Sequence, residues 1–172
     1  WGRGFFTLNM QTKEFSAYDA VCQDKGLKVT GFVEDKEHRI WVSTWDNNGM
    51  IRLEKPFEPQ SSSYQLYPSS GQNGTLPSAV LYKLAYDPHN NEIWVATAKG
   101  LAVLTDLEAT DAFTVYDAGE LGGDEIWTIY SDGKNIMWAS ALGGGVNKVV
   151  KRKVAFRHDV LSAGTTGNGI IT

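Results

Sequence analysis

The 172 residues carry a net charge of −4, a pI near 5.3, 42% hydrophobic and 21% charged residues. That globular composition excludes a disordered chain, and no apolar run reaches the roughly 18 residues of a membrane-spanning helix. The largest basic cluster is KVVKRK at 148–153, so the broad cationic face of a duplex-binding domain is missing and nucleic acid is not an expected partner. Cys22 is alone, which excludes an internal disulfide.

Aromatic residues make up 12% of the chain, with six Trp and 18 Gly, and strong β formers interrupted by Gly and Asn favour short strands. The chain opens on WGRGFFTL (1–8), which aligns with WDNNGMIRL (45–53). With the aromatic pair Phe15 and Tyr18, residues 1–18 read as the second half of a repeating unit.

The first whole unit spans 29–67. It has an apolar segment VTGFVED (29–35), a polar turn at 36–39, a strand around Trp41, a turn with Gly49, a third strand, and the pair Tyr64/Tyr67. The connection 68–80 contains SSGQNG without strand pattern and is predicted to be the longest mobile loop. The second unit, 81–116, repeats the order: LYKLAYD, a turn PHNN, a strand at Trp94, Gly100, and Phe113/Tyr116. The third, 126–158, has IWTIYSD, a turn GKN, Trp138, Gly145 and Phe156, with Asp159 where a second aromatic would stand. Residues 169–172 (GIIT) resemble the opening of a further first strand.

Two marker ladders keep pace. Phe or Tyr recurs at 15, 64, 113 and 156, and Trp at 41, 94 and 138. Four short antiparallel strands in about 40–50 residues make a β-propeller blade. A β-sandwich gives no reason for ladders in step. The expected class is therefore all-β, with residues 1–172 forming part of one propeller, an incomplete arc of about three to four blades. Trp41, Trp94 and Trp138 are expected to be buried at equivalent positions.

Candidate chemistry is sparse. His38, His89 and His158 are dispersed through the chain and read as surface turn residues. Asp35, Asp87 and Asp132 each begin a turn, where a carboxylate caps backbone amides. The glycines at 143–145 lack the Lys-Ser/Thr and helix context of a phosphate loop, and the sequon at Asn73 reads as fortuitous. No metal or other cofactor is expected. Ligands of propellers sit at the channel mouth or on strand-connecting loops. The second-to-third turns and fourth-to-first connections should share one face. On that face the candidate ligand-binding residues are Trp1, Arg3, Trp45, Asp46, Asn47, Asn48 and Lys99. Indole with Asn, Asp and Arg suits a sugar, although Trp1 and Trp45 could instead pack between blades.

Apolar strand, Asp turn, Ile-Trp-Val-x-Thr, Gly turn and aromatic pair together resemble the two-component regulator propeller repeat, and FRHD (156–159) resembles its spacer into the next strand. The second copy departs at PHNN (88–91), and the third at Ile136-Met137 and at 139–141. The resemblance implies the periplasmic sensor region of a hybrid histidine kinase, anchored to the membrane only through the full-length protein, non-enzymatic itself and responsive to oligosaccharide. Its partners would be the remaining blades of the same propeller and a carbohydrate ligand, with pairing of exposed end blades into a homodimer as a further expectation. The alternatives are a protein-interaction scaffold and a fragment of a propeller lyase or glycosidase.

Overall fold

Local turn chemistry cuts the chain into strands. Asp35 Oδ1 accepts the N–H groups of Glu37 and Arg39, both at 3.0 Å, while His38 takes a φ of 60°. Asp87 Oδ1 likewise accepts from His89 at 3.0 Å, and Asn91 adopts a φ of 55°. These short side chains satisfy the backbone through a reversal, so the apolar run before each one must double back. The second turn depends on glycine for a different reason. Gly49 and Gly100 have φ of 68° and 102°, and a Cβ there would stand 2.3 Å and 2.4 Å from the carbonyl oxygens of Tyr67 and Tyr116. The turn tucks beneath the last residue of the fourth strand, which is why the glycine and aromatic markers recur together.

The computed structural model describes residues 4–18, 21, 26–45, 49–58, 63–133 and 136–150, with the backbone of 157–159. It is all-β, as the sequence predicts, with three four-stranded antiparallel sheets and one strand pair. The pair is β1 (Phe6–Leu8) with β2 (Phe15–Ala17). The first sheet runs β3 (Val29–Glu34), β4 (Ile40–Thr44), β5 (Met50–Leu53), β6 (Tyr64–Tyr67). The second runs β7 (Leu81–Asp87), β8 (Glu92–Thr97), β9 (Gly100–Leu104), β10 (Phe113–Tyr116). The third runs β11 (Ile126–Ser131), β12 (Ile136–Ala141), β13 (Gly145–Val150), β14 (Arg157–Asp159). A one-turn helix, α1 (Ala118–Leu121), precedes the third sheet; Asp117 and Glu120 form its capping box. The sheets are propeller blades, and their first strands converge, with β7 beside both β3 and β11.

The core lies between blades. Phe5 and Tyr18 pack on Val42 and Ile51. Trp41 and Tyr67 meet Leu84, Val95 and Phe113 of the second blade. Trp94 and Val103 meet Ile129, Met137 and Ala139 of the third. Every residue of β8 and β9 is buried, because this blade is covered on both faces.

One expectation is corrected. Trp138 is 38% exposed rather than buried, although it is the register equivalent of Trp41 and Trp94. It alternates with Met137 and Ala139, which face the second blade, and so points to the opposite side. Lys148 lies 5.5 Å above its ring. The connection 68–80 is anchored at its second half, while residues 70–73 remain exposed. Leu76 is fully buried, Phe113 N–H donates to Gly74 O at 2.9 Å, and a Cβ on Gly74 would meet Asp111 O at 2.1 Å. A polar composition concealed one buried leucine and a close backbone crossing.

Trp41→Ala removes a fully buried indole and is expected to lower stability by about 3–5 kcal/mol, whereas Trp138→Ala should cost roughly 1 kcal/mol or less. Urea unfolding of both variants checks the contrast, and equal losses would contradict this placement of Trp138.

Candidate functional site

The first strand of each blade carries one extra residue at the same place. Register shifts fall between Val29 and Gly31, between Leu81 and Lys83, and between Ile126 and Thr128. Thr30, Tyr82 and Trp127 are therefore bulge residues, turned out of the regular inside/outside alternation. Thr30 Oγ1 donates to the carbonyl of Leu81 at 2.9 Å, stitching the first blade to the second.

The turn after each Trp strand folds over this bulge. Trp45 N–H donates to Lys28 O at 2.8 Å, Ala98 N–H to Val80 O at 3.1 Å, and Leu142 N–H to Glu125 O at 2.8 Å. These bonds bring the second-to-third turns and the fourth-to-first connections to one face, as the sequence predicts. They also make Trp45, Ala98 and Leu142 equivalent positions.

Three rings from three consecutive blades form a row there. Trp45 meets Tyr82 edge-on at 5.0 Å and 73°, and Tyr82 stacks on Trp127 at 5.3 Å and 10°. Trp127 remains 50% exposed and Trp45 38%. The Tyr82 hydroxyl donates to Glu125 Oε1. Burial pushes the Tyr82 phenol up to about 12, with the Glu125 hydrogen bond and charge adding to the shift. It therefore stays a donor throughout the ordinary pH range.

Of the sequence-predicted residues, Trp45 and Lys99 lie on this face. Lys99 is exposed in the β8–β9 turn, beside the Gly100 N–H that donates to Asp124 O at 2.5 Å. Trp1, Arg3, Asp46, Asn47 and Asn48 lie outside the described residues. Tyr82, Trp127 and Glu125 were missed by sequence reasoning. The available signal was an aromatic at the second position of both LYKLAYD and IWTIYSD, which strict alternation does not mark as aimed at the rim.

The other concentration of charge is structural. Asp35 Oδ2 accepts from Arg39 Nε at 2.7 Å and Trp41 Nε1 at 2.8 Å. Arg39 Nη1 also reaches Glu108 of the second blade at 2.5 Å, and Arg52 Nη1 donates to the Leu107 carbonyl. Burial raises the Asp35 pKa, but the bonds from Trp41 and Arg39 outweigh it and hold the carboxyl below its ordinary value. Asp87 and Asp132 also cap backbone, through His89 and Ile136 respectively. Among the described residues no three His, Cys, Asp or Glu side chains group as metal ligands.

No protein-family model matches the chain, and no curated protein does. Solved structures do. The extracellular domain of the hybrid two component system BT3049 from B. thetaiotaomicron aligns with 77% of this chain at 17% identity and a TM-score of 0.60. The extracellular domain of hybrid two component system BT4673 from the same organism aligns with 96% at 16% identity and a TM-score of 0.68. PorZ, a surface component of the type-IX secretion system of Porphyromonas gingivalis, aligns with 87% at 14% identity and a TM-score of 0.61. At such identities the likeness is one of fold. The chain spans 18%, 21% and 23% of these three structures, about a fifth of each.

Asp35→Asn puts an amide proton against buried donors and is expected to cost about 3 kcal/mol at neutral pH. A carboxyl with a depressed folded pKa contributes stability that is present above its unfolded value of about 3.9 and lost as pH falls through the folded value. The gap between wild type and variant should therefore close in acid, and a pH-independent gap in urea unfolding would contradict this role.

Proposed function

We propose that the chain is a ligand-sensing part of an extracytoplasmic propeller that passes its signal to a two-component kinase and is not itself an enzyme. The observation that carries the reading is the shared fold with the extracellular domains of BT3049 and BT4673. No helix among the described residues is long and apolar enough to cross a membrane, so anchoring would fall to other parts of the polypeptide. The kinase, the remaining blades and the membrane segment belong to the same proposal. The ligand proposed is an oligosaccharide, contacted at the rim by Trp45 and by its neighbours Asp46, Asn47 and Asn48, with Trp1, Arg3 and Lys99 contributing.

The non-enzymatic part of the reading draws support from how the carboxylates are used. Asp35, Asp87 and Asp132 hold turns, and Glu108 bridges two arginines between blades. Those positions leave these groups committed to structure rather than poised as an acid–base pair. The likeness to PorZ favours a second reading, a scaffold at the cell surface whose rim binds protein. Homodimerisation through the exposed end blades is a further proposal, argued from Phe6, Phe15, Tyr130 and Trp138, all exposed.

The test is ligand-dependent phosphorylation in the intact polypeptide. A glycan panel should contain one member that changes phosphorylation while generating no new reducing or unsaturated ends. Trp45→Ala should weaken that response about tenfold while costing roughly 1–2 kcal/mol of stability, less than a core Trp. Glycan turnover, or a response indifferent to every glycan, would sink the reading.

A further inference from the structure

The repeat positions around the aromatic row differ in one informative way. On the first blade the residue folded over the bulge is Trp45, and its indole closes against Tyr82 of the next blade at 5.0 Å. On the second blade the equivalent residue is Ala98, held by the same backbone bond, to Val80 O at 3.1 Å. The bulge residue in the corresponding place on the third blade is Trp127, which is 50% exposed although Tyr82 stacks on one side of its ring. A methyl group thus stands where an indole stands one blade earlier, and half of Trp127 is open to solvent.

The chemistry at the edge of that surface is specific. Tyr82 occupies Oε1 of Glu125, whose backbone is fixed by Leu142 N–H at 2.8 Å. A carboxylate offers about four acceptor sites, so Glu125 retains capacity for donors brought by a ligand. The Glu125 carboxylate bonded to Tyr82 disfavours phosphate, sulfate and uronate groups at this edge, while exposed Lys99, next to Ala98, is the opposing cation on the same face. A methylammonium group calls for several rings around it, whereas these rings are spent on one another in a row. A fatty or drug-like ligand calls for an enclosing cavity, and Trp127 lies on an open rim.

We propose that a neutral pyranose ring stacks on Trp127 in the indole-sized space over Ala98, with its hydroxyl groups donating to Glu125. The sugar ring continues the row Trp45–Tyr82–Trp127, its C–H face on the indole and its polar edge toward the carboxylate and solvent. Ala98 is the specificity-determining residue, because its small side chain is what admits the ring. This proposal rests on the ligand-sensing reading but names different residues from those that the sequence suggests.

The test titrates the intact polypeptide with cellohexaose, maltohexaose, xylohexaose and mannohexaose, and with hexagalacturonate as the anionic counterpart. At least one neutral hexasaccharide should bind and perturb the Trp127 indole resonance. Its affinity should fall about tenfold or more in Trp127→Ala and in Ala98→Trp, and about fivefold in Glu125→Gln. Ala98→Trp reproduces the first-blade arrangement, so its melting temperature should match wild type and it decides the matter if Trp127→Ala fails to fold. The proposal is overturned if no neutral hexasaccharide binds, if only hexagalacturonate binds, or if Ala98→Trp leaves binding intact. Ligand-dependent phosphorylation that survives Ala98→Trp would overturn this site while leaving the sensor reading standing.

Discussion

Burial of a four-stranded sheet face to face against its neighbours is the constraint from which the other features follow. The second blade shows it most plainly, with β8 and β9 buried along their whole lengths between Trp41 on one side and Ile129, Met137 and Ala139 on the other. Such a sheet has no solvent face, so alternation of polar and apolar residues gives way to continuous apolar runs. On the third blade Trp138 and Tyr130, at the places where the second blade has buried Trp94 and Ala85, are exposed among the described residues.

Two of the interfaces solve this packing differently. Between the first and second blades Trp41 is flanked by Arg52 at 5.5 Å and Arg39 at 5.9 Å, and both guanidinium groups reach Glu108 or Leu107 across the interface. Buried charge of this kind is tolerable because each cation finds a carboxylate or carbonyl. Between the second and third blades Val103 stands where Arg52 stood, and the contact is apolar. The Trp is common to both, and the polar shell around it is not.

The rim owes its chemistry to the point where that packing is released. A bulge in each first strand frees one side chain per blade from core and channel alternation. On the first blade the freed residue is a threonine used as a stitch; on the next two it is an aromatic. Residues that do not hold blades together are available to meet a ligand, and here they are neighbours because the first strands converge.

The repeat, the strand positions and the turn roles of Asp35, Asp87 and Gly100 were legible in the sequence, because turns are decided by the residues that form them. A carboxylate that caps two amides, or a glycine beneath a carbonyl, behaves alike in the first two copies. Trp45 could be placed on the correct face for the same reason, since its turn follows the strand directly. Burial of one Trp and exposure of another could not be read from residues that occupy identical places in the repeat, because the neighbouring blade decides it. Nor could the row of Trp45, Tyr82 and Trp127, whose members lie in three different blades. Only a register shift, set by how two strands pair in three dimensions, turns Tyr82 and Trp127 out of alternation and toward each other.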